Sequence, residues 1–131
     1  METYEIMIMD LNTKMEMTLS VEADEAETSD NIVIKADISG QEVTAEDYNY
    51  LPAYQEFRDK LLRMGYGIKC NGSRVNAVQS GMMGANDKVY LVEMGKRPKM
   101  KNIVHIWDYA DIDDFPDTDR QLAFSEQWFD A

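Results

Sequence analysis

Thr3-Tyr4-Glu5-Ile6-Met7-Ile8-Met9-Asp10 and, after Leu11-Asn12-Thr13, Lys14-Met15-Glu16-Met17-Thr18-Leu19-Ser20-Val21 decide the fold. Both stretches alternate. Tyr4, Ile6 and Ile8 fall on one face with Met15, Met17 and Leu19, while Glu5, Met7, Met9, Glu16, Thr18 and Ser20 fall on the other. A period of two residues is the signature of a half-buried strand. The three residues between the stretches make them a hairpin with a short loop.

Moving outward, Glu22–Asn31 is acidic and has no apolar stripe, so an exposed loop or frayed helical turn is expected. Ile32, Val33, Ile34, Ala36 and Ile38 restore the apolar pattern as a third strand, which Gly40 stops. Thr44-Ala45-Glu46-Asp47 reads as a helix N-cap followed by first-turn acids, although Pro52 interrupts any helix begun there. A firmer helix starts at Pro52. Tyr54, Phe57, Leu61 and Leu62 stand at helical spacing, and Gly65 sits where a left-handed C-cap is wanted.

A strand at Tyr66–Cys70 follows, then a Gly-, Ser- and Asn-rich loop of about sixteen residues, then strands at Val89–Met94 and Asn102–Trp107. Gly95-Lys96-Arg97-Pro98-Lys99 is a basic connector, and Asp119–Phe129 closes the chain as an amphipathic helix carrying Leu122, Phe124, Trp128 and Phe129. Strands, then helix, then strands predict an α+β domain over residues 1–131. Its antiparallel or mixed sheet has about five to six strands, with one main helix packed on it and a short C-terminal helix.

A hydrophobic content of 44%, with seven Tyr, four Phe and two Trp, separates the chain from disordered compositions and supports a core at 131 residues. The ten methionines read as core filler. Cys70 is the one cysteine, so no internal disulfide is possible, and the start of the chain lacks a secretory pattern. No apolar run reaches the roughly 18 residues of a transmembrane helix. A reducing cytoplasm is the expected location.

The net charge of −12 disfavours nucleic-acid phosphates and anionic lipid as partners and favours a basic protein. Residues 1–57 hold 14 acids and 2 bases, residues 58–101 hold 3 and 10, and residues 102–131 hold 8 and 1. The basic middle of the chain can neutralise its flanks in the folded state.

Chemistry by side-chain nucleophiles has little material. His105 is the only histidine and lies inside an apolar strand pattern, so no base is available to a nucleophile. Cys70 has only Lys69 and Arg74 nearby in sequence to activate it. Two residues of the His and Cys types cannot make a zinc site. Counting from Asp111, Pro116 and Leu122 stand where a calcium loop needs Gly and Glu. No catalytic residue, metal or cofactor is expected, and the chain reads as a binding protein.

Asn71-Gly72-Ser73-Arg74, continued by Ser80-Gly81 and Gly84, is the most unusual stretch. Asn71-Gly72 permits a turn with positive φ, Ser73 can bond nearby amides, Arg74 can hold a carboxylate or phosphate, and Gly81 and Gly84 allow close backbone approach. Two readings follow: an anion-binding loop, or a connector tied by Arg74 to a carboxylate.

These residues carry a resemblance. A Tyr-containing helix ending in Gly (Tyr54 to Gly65), a Cys-Asn-Gly-Ser-Arg turn (Cys70 to Arg74), Ser80-Gly81-Met82, a Lys-X-Tyr strand (Lys88 to Tyr90) and a closing Val-X-Ile-Trp-Asp (Val104 to Asp108) resemble a family of small bacterial proteins associated with toxin–immunity loci. About half the chain takes part. Only Gly84 follows the Ser-Gly-Met, fewer glycines than that pattern has. The resemblance implies an immunity protein, one that neutralises a toxin by occluding its site.

An acidic, aromatic-bearing surface suits the basic cleft of a nucleic-acid-cutting toxin. Asp108, Tyr109, Asp111, Asp113, Asp114, Phe115 and Trp128 are the expected partner-binding residues, combining carboxylates with aromatic anchors. The acidic 22–30 stretch is the other candidate interface. Two alternatives come from other classes: a small-anion sensor built on Asn71, Gly72, Ser73, Arg74, Ser80 and Gly81, and an acidic mimic of nucleic acid.

Overall fold

The computed structural model describes residues 2–130, and Met82 by its backbone alone. Its elements run β1 (Glu2–Asp10), β2 (Glu16–Glu25), β3 (Ile32–Ile38), β4 (Gln41–Asp47), α1 (Tyr50–Arg63), β5 (Tyr66–Ile68), β6 (Ala77–Val78), β7 (Lys88–Leu91), β8 (Ile103–His105) and α2 (Thr118–Asp130), with short 3₁₀ turns between β5 and β8. A five-strand sheet in the order β4-β3-β2-β1-β5 and a three-strand sheet in the order β6-β7-β8 are both antiparallel. The chain is therefore α+β.

The opening hairpin pairs Tyr4 with Val21, Ile6 with Leu19 and Ile8 with Met17. The inner face continues through Ala23, Ile34, Ala36, Val43 and Ala45, all buried. Helix α1 lies on this face against β3, β4 and β5, carrying the chain from one edge of the sheet to the other. Tyr54, Phe57 and Leu61 are completely buried beneath it. Its side chains also cover the free edge of β4: Lys60 Nζ donates to the Thr44 carbonyl at 2.6 Å, and Glu56 Oε2 accepts from the Glu46 amide at 2.9 Å. An edge so occupied cannot template another strand.

Trp107 fastens the second sheet to the first. Its indole stacks on Tyr4 with ring centres 5.5 Å apart, meets Tyr54 and Phe57 edge-on, and donates from Nε1 to the Tyr50 hydroxyl at 2.8 Å. One cluster of buried side chains spans both sheets. Among the described residues no helix is long and apolar enough to cross a membrane.

Several expectations need correction. Thr44–Asp47 caps no helix: it is the second half of β4, because Val43 and Ala45 complete the inner face and Thr44 points out. Residues 22–25 extend β2, leaving 26–31 as the loop. Helix α1 begins at Tyr50 with Pro52 inside its first turn, where a proline's missing N–H has no intrahelical acceptor to lose. Gly65 takes φ +95° just past the helix, as a left-handed terminus requires.

The expected strands at Val89–Met94 and Asn102–Trp107 are shorter, and the loop before them contains β6. The methionines do not fill the core. Met15, Met17, Met94 and Met100 are exposed and no described methionine side chain is fully buried, since the inner positions belong to Ile, Leu, Val and Ala.

Candidate functional site

The register of the large sheet places side chains of one parity outward. On that face β1 contributes Glu5, β2 contributes Glu16, Glu22 and Asp24, β3 contributes Asp37, and β4 contributes Glu42 and Glu46. Lys35 is the one base among these seven carboxylates. All are exposed except half-buried Glu22. Like charges directly opposite each other destabilise a sheet, as Asp37 and Glu42 stand here, whereas Lys35 stands opposite Glu22, Glu5 accepts from the Ser20 hydroxyl, Glu46 accepts from Asn31 Nδ2 at 2.8 Å and Glu16 pairs with Lys69.

The segment after β8 extends this surface. Residues 106–110 run beside 69–72, with the amides of Asn71, Gly72 and Ala110 donating to the carbonyls of Asp108, Ile106 and Lys69. Phe115 then lies on Gly67, whose strand position opposes Met9 on the outward face; a Cβ on Gly67 would fall 2.5 Å from the ring. Lys69 is nearly enclosed. Its Nζ bonds Glu16 at 2.5 Å and Asp111 at 3.4 Å and lies 5.6 Å from the Tyr109 ring centre. These carboxylates, Glu16 first, hold its ammonium well above the ordinary lysine pKa.

The expected partner-binding residues therefore divide. Asp108, Tyr109, Asp111 and Asp113 are exposed beside the sheet face. Asp114 is also exposed but forms a two-point pair with Arg120 at 2.9 and 2.6 Å, which lowers its pKa. Phe115 is half-buried on Gly67 and supports the segment. Trp128 stands apart, donating from its indole to the Lys96 carbonyl at 3.1 Å. The 22–30 stretch enters the site only through Glu22 and Asp24, which its strand half directs outward.

The Asn71–Gly84 loop is a connector bonded to its surroundings. The Ser73 and Arg74 amides bond to Cys70 and Asn71, and the Ser73 hydroxyl meets the buried Tyr54 hydroxyl at 2.6 Å. Gly72 has no positive φ; its missing Cβ makes room for the Tyr54 ring and Ile106. Arg74 reaches no carboxylate among the described residues, and its Nε donates to Asn71 Oδ1 at 3.0 Å. Gly84 packs on the Asn49 side chain, while Gly81 and Ser80 face open space.

The end of this loop caps α1. The Tyr50 amide donates to the Gly84 carbonyl at 2.6 Å and the Leu51 amide to Gln79 Oε1 at 3.0 Å, so two of the orphan donors at the helix start are satisfied.

Sequence reasoning missed Gln121, which is buried and uses its whole amide. Nε2 donates to the Gly72 and Arg74 carbonyls at 2.9 and 2.8 Å; Oε1 accepts from Gln55 at 3.0 Å and from Arg58 at 2.8 Å. It ties α2 to α1 and to the loop. Arg58 is the charged member of the group, also bonded to Asp59 and Thr118.

Cys70 and His105 do not form a nucleophile and base pair. Burial, followed by the Asp108 carboxylate, pushes the Cys70 thiol up to about 12, and Lys69 and Arg74 point to other partners. His105 is exposed at the edge of the small sheet, 3.7 Å from Asp87. Among the described residues no group of three or more His, Cys, Asp or Glu is placed to hold a metal ion. No protein-family model matches the chain, and no curated protein matches it significantly.

Proposed function

We propose that the protein is a non-enzymatic inhibitor of the immunity type, which occludes the basic site of a toxin in the same cytoplasm. The observation that carries this reading is the outward sheet face, where β1 to β4 set seven carboxylates around Lys35 on an antiparallel frame and Lys69, just past β5, pairs with only one of them, Glu16. A strongly negative face raises the encounter rate with a positive cleft and rejects nucleic acid and anionic membrane by the same field. Tyr109, exposed beside Asp108 and Asp111, supplies an aromatic anchor at the rim. The resemblance of residues 54–108 to proteins of toxin–immunity loci points the same way.

Co-expression with the product of the neighbouring reading frame tests the proposal. The expected result is a stable complex that dissociates with salt, and loss of the neighbour's toxicity when this chain is present. A neighbour that neither binds nor becomes harmless would overturn it.

A further inference from the structure

Helix α2 leaves an apolar face without a cover. Phe129 is 82% exposed and Leu122 53% exposed, two turns apart on the same side, with Trp128 between helix and connector. They border a groove of about 670 Å³ whose floor includes Leu51, Ala77, Val78 and Tyr90. Apolar surface of this kind, bordered by charge, marks an interaction site on a soluble chain. The groove lies on the α1 side of the large sheet, away from the acidic outward face.

The charges around it identify the occupant. Glu126 and Asp130 are the charged side chains on the helix wall. Pro98 forms part of the rim and brings Arg97 and Lys99 beside it, within a run from Lys96 to Lys101 that holds four bases and no acid. Every residue of that run is exposed, and among the described residues only Lys96 has a carboxylate partner, Glu93 at 2.8 Å. Two molecules of charge −12 repel through almost any other face. Here an apolar centre with acids on a helix and bases on a connector is self-complementary, because a two-fold axis brings the helix of each copy onto the connector of the other.

We propose that this groove is a homodimer interface, with Phe129 and Leu122 of each copy inserted into the groove of its partner copy and Glu126 and Asp130 set against Arg97 and Lys99 across the axis. The interface is isologous, so every substitution acts twice.

Sedimentation velocity of the full chain over a concentration series tests it. The native chain should pass from monomer to dimer. Phe129→Asp, at a side chain too exposed to matter for folding, should raise the dimer Kd by at least about a hundredfold, since each copy loses one anchor. Two charge-reversed chains give a sharper outcome. Glu126→Lys with Asp130→Lys, and separately Arg97→Glu with Lys99→Glu, should each be monomeric alone, and an equal mixture should dimerise, because one contact is then native and the other is reversed on both sides.

A native chain that stays monomeric, a dimer that survives Phe129→Asp, or a mixture that fails to associate while both parents remain folded by circular dichroism would overturn the proposal. If the monomer bound an apolar fluorescent dye that Phe129→Asp excludes, the groove would belong to a small apolar ligand and the dimer would be wrong.

Discussion

Replacing Gln121 with leucine isolates the contribution of one buried amide. The leucine keeps much of the volume and helix propensity, but the Gly72 carbonyl is left buried without its donor, the Arg74 carbonyl loses a 2.8 Å bond, and the Arg58 guanidinium loses a 2.8 Å acceptor. An unsatisfied buried carbonyl costs about 1 to 3 kcal/mol, and a lost bond to a charged group about 1.5 to 3 kcal/mol. Added apolar burial returns about 1 to 2 kcal/mol. A net loss of about 1.5 to 4 kcal/mol follows, a large share of the stability of a small domain.

Urea unfolding followed by far-UV circular dichroism and by tryptophan fluorescence measures it. Trp107 reports the core and Trp128 reports α2, so coincident transitions show that α2 melts with the rest. A loss under about 1 kcal/mol would refute the reasoning and place Gln121 in contact with water.

Gly72→Ala should destabilise by about 1 to 3 kcal/mol in the same assay, because the new Cβ would sit 2.8 Å from the fully buried Tyr54 ring; an unchanged midpoint would contradict that packing. Arg74→Ala should cost no more than about 1 kcal/mol, since a half-exposed bond to an amide oxygen is at stake and no buried ion pair. For Cys70 the folded pKa is raised from 9.0 to about 12. Below pH 9 both states keep the proton. Above it the unfolded chain releases a proton that the folded chain retains, so stability should fall from pH 9 to about 12. A Cys70→Ala chain should show a shallower decline over that window, and an identical decline would remove the thiol as a cause.

The large sheet and both helices were legible wherever burial imposes a period. Ile6, Ile8, Leu19, Val21 and the α1 stripe of Tyr54, Phe57 and Leu61 are inward because alternation and helical spacing put them there. Strand β4 was hidden by its own chemistry: Thr44, Glu46 and Asp47 are cap-like residues, and the inner face needed only Val43 and small Ala45. A two-residue strand such as β6 is too short to show any period.

The site was less legible still. Glu5, Glu22 and Glu42 are distant in sequence and share a face only through strand register, whereas the Asp-rich stretch from Asp108 is conspicuous in sequence yet has Asp111 and Asp114 partly neutralised by Lys69 and Arg120. Gln121 eludes pattern reading because a polar residue on an amphipathic helix is assigned to water, and here it is the one fully buried residue of α2. Leu122 and Phe129 illustrate the converse, apolar spacing that predicts burial against a core the chain does not provide.

The most direct test of the central claim is the association rate of this chain with the proposed basic partner over a salt series, measured for the native chain and for Glu5→Gln, Glu22→Gln and Glu42→Gln combined. Glutamine preserves the strands and removes three charges from the outward face. The on-rate at low salt should fall by about tenfold and its dependence on ionic strength should flatten, with the two chains converging as the Debye length shrinks to about 3 Å near 1 M salt. An unchanged on-rate and salt slope, with the complex still forming, would show that the partner docks elsewhere and that the acidic sheet face is only solvated surface.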